Sequence, residues 1–208
     1  MIDVDVRMTV TTAASQMTGT SSRLTAGCEI SLEDALYALM LPSGNDAAYL
    51  LAENIGLLIT YGRVKLHSHP HQYSSIELLD LSSFASTEKF VGSFVRQMNR
   101  KAKQMGMDCT SFDNPHGMQS SENYSTTLDL LLLSRYCQAN WKFMQIASCQ
   151  EYTALQYQPP HHHSKRRSTN WNGEILISFS IKVGRGSKLV IPRLMVVAFP
   201  VIGRASSS

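Results

Sequence analysis

Hydrophobic residues follow two different periods along this chain, and the change from one to the other separates its ends from its middle. Val4, Val6, Met8 and Val10 alternate with Asp3, Asp5, Arg7 and Thr9, which predicts extended structure with one buried face. Gly19, Ser21, Ser22 and Gly27 then mark turns. From Ser31 the period lengthens. Leu32, Ala35, Leu36, Leu39 and Met40 recur at helical spacing, Ser31 can cap the first turn, and Glu33 and Asp34 suit the positive end of the helix dipole. Pro42 stops this helix. A second helix is predicted after Asn45-Asp46, through Ala47, Ala48, Leu50, Leu51 and Ala52.

Residues 57–86 have no clean period and read as an inserted surface loop, with a short apolar element around Ile76–Leu81. The clearest helix is predicted from Thr87 to about Met105, with Val91, Phe94, Val95, Met98, Ala102 and Met105 on one stripe. Thr87 is placed to cap it and Gly106 to end it. Asn114-Pro115-His116-Gly117 is a turn, and Thr126 with Asp129 opens a Leu-rich helix to about Cys137. Residues 157–173 read as a polar loop. Ile175, Ile177, Phe179 and Ile181 then line one face of a strand, with Lys182 on the other, and a second strand runs from Leu189 to Phe199. A helical middle between terminal strands predicts an α/β sandwich whose sheet joins the two ends of the chain.

Composition narrows this picture only a little. The chain has 208 residues, 43% of them hydrophobic and 17% charged, as expected for one domain with a buried core. A net charge of +3 does not point to a nucleic-acid or membrane partner. No apolar run is long enough to span a bilayer, and the N-terminus has no signal-peptide pattern. Cys28, Cys109, Cys137 and Cys149 lack metal-ligand spacing and read as scattered small hydrophobes, although two disulfides would fit an oxidising compartment.

Candidate chemistry sits between the first two helices. Ser43-Gly44-Asn45 places a hydroxyl and an amide on an interhelical turn. By itself this is ordinary turn composition. The stretches around it give it meaning: Val10–Ala14, Gly19–Ser22, Gly27–Glu53, Phe90–Met107, Thr110–Met118 and Tyr124–Asp129, taken in that order. Together they resemble the serine D-alanyl-D-alanine carboxypeptidases of the low-molecular-weight penicillin-binding class, the peptidase S11 family. The resemblance implies an α/β fold of the β-lactamase and penicillin-binding-protein kind, with a helical lobe on an antiparallel sheet. It implies one carboxypeptidase domain over residues 1–208, with the insertion at 57–86. It also implies hydrolysis of the terminal D-alanine of peptidoglycan stem peptides through an acyl-enzyme, with no cofactor. Members of that family are typically extracytoplasmic.

Such enzymes use three elements, S-x-x-K, S-x-N and K-T-G. The resemblance makes Ser43 and Asn45 catalytic, as proton relay and substrate-amide anchor. It makes Lys182 and Gly184 substrate-binding, although Val183 stands where the family has threonine. The sequence contains one S-x-x-K, Ser86-Thr87-Glu88-Lys89. It follows the S-x-N and opens a helix, so it reads as a surface helix start and not as the nucleophile. Two expectations stay open: the nucleophile segment lies upstream of this sequence, or the chain is a non-catalytic relic or binding module of the same fold. His67, His69 and His71, and the run His161-His162-His163 beside Lys165-Arg166-Arg167, read as solvated surface, with metal or polyanion binding as the lesser alternative.

Overall fold

The computed structural model describes residues 6–61, 81, 84–157 and 166–172. Among these residues, four antiparallel strands form one sheet in the order β1 (Arg7–Thr9), β2 (Glu29–Ser31), β3 (Glu151–Tyr157), β4 (Arg166–Asn172). β1 pairs with β2 from Arg7↔Ser31 to Thr9↔Glu29, and β2 meets β3 at Glu29↔Tyr157. β3 and β4 pair along their whole length, from Glu151↔Asn172 to Tyr157↔Arg166. The sheet therefore joins an early part of the chain to a late one, as the pattern predicted. The polar loop expected over 157–173 is corrected: much of that stretch is strand. The apolar strands expected at 175–181 and 189–199 lie outside the described residues.

Among the described residues, six helices make the other layer: α1 (Thr12–Ser15), α2 (Leu32–Met40), α3 (Asn45–Tyr61), α4 (Glu88–Gln104), α5 (Thr127–Gln138) and α6 (Trp141–Ala147). α2 starts as its sequence requires, with the Ser31 hydroxyl accepting from the Asp34 amide at 3.0 Å. Its buried residues are Leu32 and every position from Ala35 to Met40, so it is a central helix and not a one-sided one. Tyr37 stacks on Tyr152 of β3 with ring centroids 3.6 Å apart, and the Tyr152 hydroxyl donates to Asp34 at 2.9 Å. These contacts fix the helical layer on the sheet. The alternation read at the N-terminus is real: Val6, Met8 and Val10 are all buried.

α3 continues through Tyr61, so residues 57–61 are helix and not part of an inserted loop. Leu57, Leu81 and Phe90 form a satellite apolar cluster, with Phe84 packed on it. On α4 the buried stripe is centred on Phe90, Phe94, Met98 and Ala102, with Val91, Val95 and Met105 at its margins. Thr87 does not cap α4. It already has helical dihedrals and its hydroxyl is bonded elsewhere. None of the four cysteines is in a disulfide; Cys28 and Cys137 are buried. Among the described residues, no helix is long and apolar enough to cross a membrane.

Candidate active site

Ser43 and Gly44 form the break between α2 and α3, and Asn45 is the first residue of α3. Ser43 has φ +55, a left-handed conformation that a β-carbon makes costly. That geometry survives because a strap, residues 18–25, wraps the turn and bonds to it from several sides. The Asn45 side chain donates to the Thr18 carbonyl at 2.6 Å, and its backbone N–H donates to the Thr20 carbonyl at 2.8 Å. The Thr20 hydroxyl donates in return to the Ser43 carbonyl.

Two glycines allow this close approach. A β-carbon on Gly19, which has φ +91, would meet Asn45 Nδ2 at 2.5 Å. One on Gly44 would lie 1.8 Å from Ser22 Oγ and 2.9 Å from the Ala38 carbonyl oxygen. A bulkier middle residue, such as the aspartate of an S-D-N, does not fit this turn.

The strap is held by two buried polar side chains. Asp46 is fully buried and accepts from Ser21 Oγ at 2.7 Å, Ser22 N at 2.9 Å and Leu24 N at 3.1 Å. Several donors on one carboxylate are what allow a charge to sit in the interior. Gln156 of β3, also fully buried, accepts from Thr25 N at 3.0 Å and donates to the Arg23 carbonyl at 3.2 Å. The S-x-N turn is thereby tied through its strap to the sheet. Neither Asp46 nor Gln156 stood out as a site residue in the sequence; Gln156 belongs to a stretch with no apolar signature.

The turn at Asn114–Gly117 comes to the same place. Asn114 Nδ2 and Asn123 Nδ2 both donate to the Met118 carbonyl, at 3.2 and 2.9 Å, and the Thr18 hydroxyl lies 3.9 Å from Met118 Sδ. Behind it, Asp129 does more than open α5: its carboxylate accepts from Cys109 N and Thr110 Oγ1 at 3.0 and 2.6 Å.

A second buried acid, Glu53, lies two helical turns along α3 from Asn45. It accepts from the hydroxyls of Thr11 at 2.8 Å and Thr87 at 2.5 Å. Burial pushes its carboxyl above the ordinary carboxylate value, and the two threonine hydrogen bonds only partly offset this. Thr11 and Thr87 line a half-open cavity of about 560 Å³, together with Tyr49, Phe84 and Ser86.

The one S-x-x-K in the sequence is not assembled as a nucleophile and base. Ser86 Oγ accepts from the Glu88 amide at 3.3 Å, whereas Lys89 Nζ donates to the Tyr61 hydroxyl at 3.1 Å and lies 4.8 Å from the ring centres of Phe84 and Phe90. Lys182 and Gly184, both histidine groups and the Lys165-Arg166-Arg167 side chains lie outside the described residues.

Comparison with known proteins gives consistent results. The sequence profile of a peptidase S11 family, described as D-alanyl-D-alanine carboxypeptidase, matches residues 85–178. A D-alanyl-D-alanine carboxypeptidase of Streptomyces sp. (strain K15) is 27% identical over 157 residues, 74% of this chain and 45% of that protein. The D-alanyl-D-alanine carboxypeptidase DacF of Bacillus subtilis (strain 168) is 28% identical over 122 residues, 59% of this chain and 23% of its own. The crystal structure of the Streptomyces K15 DD-transpeptidase superposes with a TM-score of 0.65 at 26% identity, covering 86% of this chain and 60% of that one. The chain thus spans less than half the length of the curated relatives it matches.

Proposed function

We propose that the chain, which is similar to the peptidase S11 family of D-alanyl-D-alanine carboxypeptidases, serves serine-type hydrolysis of the terminal D-alanine of peptidoglycan stem peptides. Residues 1–208 are read as one carboxypeptidase domain of penicillin-binding-protein fold. The observation that carries the proposal is the Ser43-Gly44-Asn45 turn, whose left-handed Ser43 is clamped by the strap of residues 18–25.

In this reading Ser43 Oγ relays a proton towards the departing D-alanine amine, because a hydroxyl both donates and accepts. Asn45 anchors the substrate amide. Its bond to the Thr18 carbonyl fixes the orientation of the side-chain amide and aims its oxygen. Lys182 attracts the terminal carboxylate, and Gly184 lets the substrate backbone come close. The acyl-enzyme would form on a serine activated by a neighbouring lysine, a pair that Ser86 and Lys89 do not make. The chemistry itself needs no cofactor.

A second reading is favoured by one observation: Lys89 is turned towards Tyr61 and away from Ser86. A chain that keeps the S-x-N wall and lacks an assembled S-x-x-K binds a D-Ala-D-Ala terminus without cleaving it.

One experiment separates the two readings. A diacetyl-Lys-D-Ala-D-Ala peptide is titrated against the chain, with D-alanine release followed in parallel. Binding that weakens in Asn45→Ala and is absent for the L-Ala-L-Ala peptide supports the site. Release of D-alanine selects the enzyme, and binding without release selects the module. No stereospecific binding and no release overturns both.

A further inference from the structure

The cavity beside Glu53 plays no part in the chemistry assigned to the S-x-N turn. Its volume of about 560 Å³ falls within the ~300–1,000 Å³ of small-molecule sites, and it is half open to solvent. Glu53 lies two turns along α3 from Asn45, about 12 Å at ~1.5 Å per residue. The cavity therefore neighbours the turn without sharing its residues.

Its wall is set to accept hydrogen bonds. Thr11 and Thr87 both direct their hydroxyl protons at the fully buried Glu53, at 2.8 and 2.5 Å. Thr11 Oγ1 also accepts from the Ala14 amide at 3.0 Å, and the Thr87 side chain is bonded to the Tyr49 hydroxyl. Each threonine oxygen is left with one lone pair for a ligand. Glu88, which is exposed, adds a carboxylate, and Ser86 Oγ accepts from the Glu88 amide at 3.3 Å while keeping its own proton to donate. Tyr49 and Phe84, both half-buried, bring aromatic rings to the same space. Among the described lining residues no side chain is cationic.

This wall selects its ligand by chemistry. The ligand has to donate several hydrogen bonds, accept at least one, and present an apolar face to a ring. A pyranose does all three, since its hydroxyls donate and accept and its C–H face is drawn to the negative face of an aromatic ring. An anion would meet Glu88 with no countercharge in the wall. An alkylammonium would leave Ser86 with nothing to donate to.

We propose that this cavity is a binding site for a neutral saccharide unit, separate from the Ser43–Asn45 turn. The inference rests on the carboxypeptidase reading only for the source of the sugar. Peptidoglycan carries its stem peptides on a glycan of N-acetylated sugars, and a stem of about five residues extends to at most ~17 Å. That length reaches from the cavity to the turn about 12 Å along α3. Two sources thus present the same chemistry, the glycan end of the substrate and a free oligosaccharide.

The test is titration of residues 1–208 with chitobiose, the neutral disaccharide of N-acetylglucosamine, followed by saturation-transfer NMR and calorimetry. Expected are saturation transfer to the ring C–H protons and no binding of glucuronic acid. Ala85→Trp, at an exposed lining position, should fill the cavity and abolish binding. Glu88→Gln should weaken it about tenfold, the factor carried by a hydrogen bond to a charged group. Both positions are exposed, and circular dichroism of each variant checks that the fold is kept. The diacetyl-Lys-D-Ala-D-Ala titration reports the turn and the chitobiose titration reports the cavity, so either can fail alone. A stem peptide carrying its muramyl sugar that binds about tenfold more tightly than the bare peptide, with the gain erased by Ala85→Trp, assigns the site to the substrate's glycan. Equal affinity of the two peptides beside chitobiose binding assigns it to free saccharides. No transfer to chitobiose, chitobiose binding that persists in Ala85→Trp, or hexylamine bound in its place would each overturn the proposal.

Discussion

Ser22 Oγ occupies the space in which a side chain on Gly44 would begin, 1.8 Å from the position of an ideal β-carbon. The same hydroxyl donates to the Ala38 carbonyl at 2.6 Å, so it is not free to swing away. Gly44→Ala is therefore expected to cost roughly 1–3 kcal/mol, the usual penalty of overpacking. Gly44→Asp should cost more. Adding Ser22→Gly should restore only part of the loss, since the Ala38 backbone oxygen still stands 2.9 Å from the new carbon. Urea unfolding of the single and double variants measures all three effects. A neutral Gly44→Ala would mean that the strap does not lie against the turn.

Glu53 makes stability depend on pH. Burial raises its folded-state pKa above the unfolded value near 4.5, so over the window above that value the folded state holds more protons than the unfolded one. Stability contributed by the protonated acid is complete below the unfolded value and is lost as pH rises through the folded one. Glu53→Gln keeps hydrogen bonds to Thr11 and Thr87 while removing the titration. Its urea midpoint relative to the native chain should rise between pH 4 and pH 8. Asp34, whose carboxyl is also raised by burial, is present in both proteins and cancels. Parallel pH profiles for the two chains would show that Glu53 does not carry this linkage.

What the sequence made legible, and what it hid, follows from where each residue finds its partner. α2 could be read in full, because its cap, acidic first turn and apolar spacing are all local signals. α6 could not, since its binary pattern is inverted: Trp141 faces out while Lys142 is buried and ion-paired with Glu33. β3 and β4 were missed for a related reason. β3 directs Gln156 into the interior, and β4 reads RRSTNWN with no alternation of apolar residues. At the candidate site the motif itself was visible. Its supports were not, because Asp46 and Gln156 act on residues 22 or more positions away. The cap predicted at Thr87 failed to long-range competition of the same kind, as Glu53 claims that hydroxyl.

Fluorescent penicillin should leave no denaturation-stable label on residues 1–208. Acylation needs a serine hydroxyl within reach of an unprotonated lysine, and Lys89 donates its hydrogen bond to Tyr61 instead of serving Ser86. The aromatic rings of Tyr61, Phe84 and Phe90 also surround that ammonium, with centroids 4.8–5.5 Å away. A labelled band mapped by peptide mass spectrometry to Ser86 would show that the pair assembles in solution. Tyr61→Phe, which removes the competing acceptor, is expected to leave the chain equally unlabelled, because the three rings remain.

Ser43, Asn45 and Lys182 are expected to converge on one cleft although they lie far apart in the chain. Ser43 and Asn45 are held in one turn, and that turn is tied to the sheet by Gln156, whose Nε2 also reaches Thr169 Oγ1 of β4 at 3.3 Å. The chain passes from β4 towards Lys182 within ten residues, since β4 ends at Asn172. A strand returning beside β4 would carry Lys182 along the sheet, and a bulge at Gly184 or Gly186 would aim it at the S-x-N wall. A substrate carboxylate bridging the two sides requires Lys182 Nζ within roughly two hydrogen-bond reaches, ~6 Å, of Ser43 Oγ. In binding of the D-Ala-D-Ala peptide, Asn45→Ala and Lys182→Ala should each weaken affinity, and the double variant should lose less than the sum, because both grip one ligand. Strict additivity, or a structure placing Lys182 more than ~15 Å from Ser43, several such reaches, would take Lys182 and Gly184 out of the site. The Ser43–Asn45 turn would keep its place on the helical wall, and the carboxylate anchor would have to be sought among other cations.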